Sequence, residues 1–209
     1  MIIQHNMASA NTNRQLGITN TNLSKSTEKL SSGYRINRAG DDAAGLSISE
    51  KMRGQVRGLE RASDNAQDGI SLIQTAEGAM NEQHAILQRA RELAVQAAND
   101  TNVSADRGAI STELVQLEAE FARITSQTEF NTQNLLSGGF TNKNFQIGAN
   151  NGQNIQVSIT ATAMQTVSGD MGSYATATAA IAKVDADITS LSTNRSNLGA
   201  IQNRLEYSI

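Results

Sequence analysis

His5 and His84 are the only histidines in a 209-residue chain that has no cysteine. A metal site or a general base would therefore have to be built largely from these two imidazoles and the carboxylates. They lie far apart. Neither has a second histidine or a carboxylate at metal-ligand spacing on its own helix face, and no HExxH or phosphate-binding loop occurs. His84 falls on an apolar helical repeat, where a packed or half-exposed histidine is the simpler reading. Glu28, Asp41, Asp42 and Glu50 have no apolar pocket around them in sequence to shift a carboxyl into acid–base work. Asp41 and Asp42 are instead expected to pair locally with Arg35 and Arg38. The glycines of GLSISEKMRGQVRG do not follow dinucleotide-loop spacing, and Gly54 and Gly58 are expected to let helices approach closely. No catalytic, cofactor or metal-binding residue is expected, and the chain does not read as an enzyme.

The elements that would hold such side chains explain the absence. Hydrophobic residues make up 38% and aromatics 3%, while Asn, Gln, Ser and Thr fill about a third of the chain. That composition suits narrow apolar stripes on helices rather than a thick enzyme core. The 17 basic and 20 acidic residues give a formal charge of −3, which offers nucleic acid no electrostatic welcome. The longest apolar run falls far short of a membrane span, so a soluble protein is expected. The N-terminus lacks the basic start and apolar stretch of a cleavable secretion signal.

No proline interrupts the chain, so long helices are permitted. From Asn6 to Tyr34, Leu16, Leu23 and Leu30 recur every seven residues, but the interleaved positions are polar. This half-stripe is marginal alone and wants a partner. SSGYRINRAGDDAAG breaks the pattern as an irregular linker. A second helix is expected over 46–98, with Met52, Val56, Leu59, Ala66, Ile70, Ile73, Met80, Leu87 and Ala94 on one seam; it would run about 80 Å. Asn99–Asn102 turns the chain, Ser104 or Asp106 caps a third helix, and Ile110, Leu114, Leu117, Phe121 and Ile124 carry its seam back antiparallel. Alternation in Asn144–Ile147 and Ile155–Ile159 around an Asn-Gly pair predicts a β-hairpin within about 140–160. A loose link over about 165–180 precedes a last helix, about 177–209, with Ile181, Val184, Ile188, Leu191, Leu198, Ile201 and Leu205. The fold class expected is mainly α: an elongated antiparallel bundle of long helices with a small β-hairpin. These stripes exceed what one subunit can bury, so a lone bundle and a self-associating one fit the periodicity equally.

Particular blocks decide between them. MIIQHNMASANTNRQLGITNTNLSKSTEKLSSGYRINRAGDDAAGLSISEKMRGQVRGLERASDNAQDGISLIQTAEGAMNE, LQRARELAVQAANDTN, SQTEFNTQNLLSG, FQIGANNGQNIQV and STNRSNLGAIQNRLEYSI closely resemble bacterial flagellins, in the same order. The resemblance implies a subunit that polymerises into the extracellular flagellar filament for motility. It also implies export by the flagellar type III apparatus and assembly against other flagellin subunits, the filament cap and the hook-junction proteins. By that resemblance 1–45 is an inner-layer helix and spoke, disordered up to about residue 40 in the isolated molecule, and 46–209 is a helical rod. The Leu16–Leu23–Leu30 stripe becomes a self-assembly surface. Flagellins generally continue past NRLEYSI with an inner-layer helix to which an export chaperone binds; a chain cut in mid-pattern reads as a fragment, which leaves the chaperone and assembly of this form open. The animal Toll-like receptor for flagellin recognises an Arg, a Leu and a Glu that match Arg89, Leu93 and Glu113. Arg89 is then expected to bond the receptor while Leu93 fills an apolar hollow. A hook–filament junction protein is the alternative within the same architecture. The short link leaves no room for a catalytic insertion.

Overall fold

The computed structural model describes residues 6–209, apart from the side chain of Asp170; His5 and the first residues of the expected inner helix lie outside the described residues. The chain divides into two units, Met1–Val56 and Arg57–Ile209. It is mainly α, as the apolar spacing predicts, with two small antiparallel strand pairs where the sequence indicates one.

In the first unit, α1 spans Met7–Ser32. The Asn6 side chain accepts the Ser9 N–H at its start, Gly33 ends it in a left-handed turn, and the threonines at 12, 19, 21 and 27 return their hydroxyls to carbonyls one turn back. None of its residues is buried. The linker then turns on carboxylates that serve the backbone. Asp41 accepts the Asn37 and Arg38 N–H groups, and Asp42 accepts Gly45 N–H at 2.8 Å, at the opening of α2 (Ala43–Ala97). This corrects the local pairs expected of Arg38: its guanidinium reaches Glu28 at 2.9 Å. Arg53 lies over the Tyr34 ring at 4.9 Å.

The core belongs to the second unit. Along α2 the buried positions run 62, 66, 69, 73, 76, 80, 83, 87, 90, 94 and 97, an unbroken alternation of four and three. Asn99–Asn102 turns the chain and Asp106 accepts the Val103 N–H at the head of α3 (Ser104–Gln127). Gln83 to Thr125, Arg89 to Glu113 and the Ala97 carbonyl to Arg107 show α3 running antiparallel to α2. The last helix, α4 (Tyr174–Glu206), buries Ala177, Val184, Leu191, Leu198 and Leu205, seven residues apart. Arg91–Asp185 at 2.7 Å and Glu77–Arg195 at 3.7 Å set it antiparallel to α2 as well. Because α2 faces two helices, Leu72 and Leu93, beside its main seam, are buried too.

Between α3 and α4 lie two hairpins. β1 (Glu129–Phe130) and β2 (Gln133–Asn134) turn tightly through Asn131 and Thr132, both at positive φ. β3 (Lys143–Gln146) and β4 (Asn154–Val157) pair with Phe145 opposite Ile155, in the expected place. Ile155, Val157 and Ile159 point inward on alternate residues. Asn65 donates to the Gln146 carbonyl from α2.

Two glycines on α2 admit this region. A Cβ on Gly58 would stand 2.8 Å from that of Ala149, and one on Gly69 would press on Phe145 and Leu205. Gly58 therefore accepts a hairpin loop rather than a helix, and Gly54 meets open space, which corrects the helix-approach role expected of both.

The link after β4 is not loose. Glu118 on α3 accepts Val167 N–H at 2.7 Å, Ser168 N–H at 2.8 Å and the Ser168 hydroxyl at 3.0 Å. Asp187 on α4 accepts the Gln165 N–H at 2.8 Å and its side-chain amide at 3.2 Å, and Asn194 donates to Thr162. Val167 and Met171 are buried, and Ser173 caps α4 three residues earlier than the sequence suggested. Small polar side chains hid a segment whose order comes from its neighbours.

Candidate assembly and recognition surfaces

Among the described residues, the side chains of possible catalytic interest do not converge. His84 is half-exposed: its Nε2 lies 2.9 Å from Gln88 and its Nδ1 is buried without a partner. Among the described residues no three His, Asp or Glu side chains are grouped to hold a metal, and no helix is long and apolar enough to cross a membrane.

What the fold displays instead is uncovered apolar surface on helices. Leu16, Leu23 and Leu30 are all exposed on α1 at their seven-residue spacing. Ile48, Met52, Val56 and Leu59 are exposed too, although they lead by steps of three or four into the row that is buried from Ala62 onward. One sequence pattern is thus covered within the chain over most of α2 and bare at its beginning. Isolated exposed leucines are ordinary, but a periodic row of them on one helix is the mark of a surface that packs against another helix.

The second surface is a charged pair across two helices. Arg89 donates through Nε and Nη2 to Glu113 Oε1 at 2.9 and 2.8 Å, and through Nη1 to Glu92 at 3.2 Å. The hydrogen bond that Arg89 donates to Glu113, then that to Glu92, holds its guanidinium above its ordinary pKa. Both Arg89 and Glu113 are about half exposed. Leu93 is different. It is 1% exposed and belongs to the core, so its expected insertion into an apolar hollow on a partner does not fit its place here. The spacing of four from Arg89 is right, but Leu93 is buried in the core cluster while Arg89 stays half exposed.

Sequence reading passed over several residues that organise this unit. Glu118, Asp187 and Asn194 carry no motif; the only trace is a polar residue interrupting a helical seam, as at 187 and 194. Gln83, 1% exposed and donating to Thr125 at 2.9 Å, is another such interruption.

Periodic apolar rows thus stand exposed on α1 and on the first part of α2, and comparison with known proteins gives the family. Residues 3–141 match the family model for the bacterial flagellin N-terminal helical region. The chain is similar to a flagellin of Halalkalibacterium halodurans, 51% identical over 214 residues that cover 100% of this chain and 79% of that one. It is 46% identical to a flagellar filament core protein of Treponema maltophilum, covering 100% of this chain and 80% of its length. Among solved structures it resembles the crystal structure of Bacillus cereus flagellin, with a TM-score of 0.60, 29% identity, and coverage of 70% of this chain and 86% of the other. The chain belongs to the bacterial flagellins, a family of structural proteins of the flagellar filament.

Proposed function

We propose that this chain is a secreted subunit that polymerises with copies of itself into the flagellar filament. The observation that supports this most directly is the row Leu16, Leu23 and Leu30, exposed on a helix with no buried residue of its own. In the filament that row packs against helices of the same subunit type, and residues 6–40 gain their lasting order there. Isolated, α1 has caps, threonine back-bonds and exposed polar contacts such as Glu28–Arg38, but among the described residues no buried side chain, to offset the entropy of ordering 26 residues. The cap, the hook-junction proteins and the type III export apparatus are the partners this role requires. Sedimentation after ammonium sulfate addition, with negative-stain electron microscopy of the pellet, tests the reading. Regular filaments from the natural chain and none from Leu23→Asp are expected; ordered filaments from Leu23→Asp equal to those of the parent overturn the assigned surface.

A second role, as ligand of the animal Toll-like receptor for flagellin, is favoured by the exposed Arg89–Glu113 pair. Arg89 is suited to charged recognition because its planar fork offers donors beyond those Glu113 and Glu92 take. In this reading Leu93 acts from below, by holding α2 and α3 in register, rather than by contact.

A further inference from the structure

Asn151-Gly152 is the sole Asn-Gly pair in the sequence, and both residues are exposed at the tip of the β3–β4 hairpin. The loop on either side is braced. Gln146 Nε2 donates to the carbonyls of Gly148 and Asn150, each at 2.7 Å, and the Asn150 N–H donates to Gln153 Oε1 at 2.9 Å. Ala149 is seated against Gly58. The bracing stops at the tip: among the described residues, neither the Asn151 side-chain amide nor the Gly152 N–H has a hydrogen-bond partner. Gly152 has φ of 83° and no side chain to shield its nitrogen.

Asn99, Asn102 and Asn134, also outside the helices, are held differently. Asn99 Oδ1 accepts the Thr101 N–H, Asn102 donates to the Gln96 carbonyl, and Asn134 Oδ1 accepts from Leu136 and Ser137. Each is also followed by a residue with a side chain that crowds the next backbone nitrogen. Asn151 alone combines a free amide, a free neighbouring N–H and a glycine successor.

We propose that Asn151 is a site of spontaneous covalent modification, converting to isoaspartate and aspartate by way of a cyclic imide. Hydroxide removes the proton from Gly152 N, and that nitrogen forms a bond to Cγ of Asn151. The Cγ–Nδ2 bond then breaks, and the nitrogen takes up a proton and leaves as ammonia. Water opens the imide at either carbonyl. Opening at the backbone carbonyl leaves the chain running through the former side chain, one methylene longer, with a free α-carboxylate. The net reaction is amide plus water to carboxylic acid plus ammonia, with no oxidant or cofactor. Each event adds one negative charge at the hairpin tip of a chain whose formal charge is −3. The modification therefore marks the age of a molecule, and it stands independently of the filament reading.

The full folded chain is incubated in mildly alkaline buffer and sampled over weeks. Isoaspartate is read by methylation with a protein-isoaspartate methyltransferase and labelled S-adenosylmethionine, and located by peptide mass spectrometry. The expected result is label and the mass gain of NH-to-O exchange appearing first in the peptide that contains Asn151, at a rate rising in proportion to hydroxide. Asn151→Gln, whose extra methylene disfavours ring closure, should lose that label while its far-ultraviolet circular dichroism matches the parent. Two results overturn the proposal: other asparagines of the folded chain reacting first, or Asn151 staying intact in the folded chain while the same peptide reacts in urea.

Discussion

Replacing Glu118 with Ala should unfasten the segment that joins the β3–β4 hairpin to α4. The carboxylate accepts two backbone N–H groups and one hydroxyl, at 2.7, 2.8 and 3.0 Å, and the bonds are part-buried. A buried donor left without an acceptor costs about 1–3 kcal/mol; with water able to reach this site the lower end applies to each amide, and loss of the charged hydroxyl bond brings the total to about 2–3 kcal/mol. A unit of this size has a urea slope of about 2 kcal/mol per M, so the unfolding midpoint should fall by about 1 M. Glu118→Gln keeps one carbonyl oxygen for the two amides and should lose about half as much. The assays are urea unfolding followed by circular dichroism and amide exchange at Val167 and Ser168. If Glu118→Ala shifts neither the midpoint nor the exchange of those two amides, the clamp is not what orders the link, and the reasoning fails.

Three further outcomes follow from the same geometry. Leu93→Ala should destabilise the second unit by about 2–5 kcal/mol, as a large-to-small change in a closed core does, whereas Arg89→Ala should stay within about 1 kcal/mol, being a surface pair, and still abolish receptor signalling in a cell reporter assay. Signalling equal to the parent by a folded Arg89→Ala chain would remove the recognition role. Gly58→Val places branched carbons where Ala149 already sits, and should cost about 1–3 kcal/mol with faster amide exchange at Ile147. Asp41 is held below its ordinary 3.8 by the Asn37 and Arg38 N–H bonds first, with Lys29 and Lys25 assisting. Its contribution is thus present above that value and lost as pH falls through the lower folded pKa. Acidification below the ordinary carboxylate range should speed exchange at the Asn37 and Arg38 amides; pH-independent ratios of their exchange to that of neighbouring linker amides would refute the assignment.

Much of the helical architecture was legible because it is written in local spacing. The three-four repeat of α2, the sevenfold repeat of α4 and the polar turn at Asn99–Asn102 each depend on residues close in sequence, and α2, α3 and the β3–β4 hairpin fall where those patterns place them. The β1–β2 hairpin was not legible: its turn uses Asn131-Thr132 at positive φ, without the glycine that signals such turns. Nor was the order of the link, since Gln165, Val167 and Ser168 are fixed by Asp187 and Glu118, which stand 22, 49 and 50 residues away. Periodicity also cannot count neighbours. It puts Leu59 and Ala66, Arg89 and Leu93, on equal footing, and only the packing of α3 and α4 onto α2 exposes the first of each pair and buries the second. Helix formation is a matter of i to i+4 contacts that the sequence states directly; which stripe is covered depends on contacts between residues far apart in the chain, and those exist only once the second unit has folded.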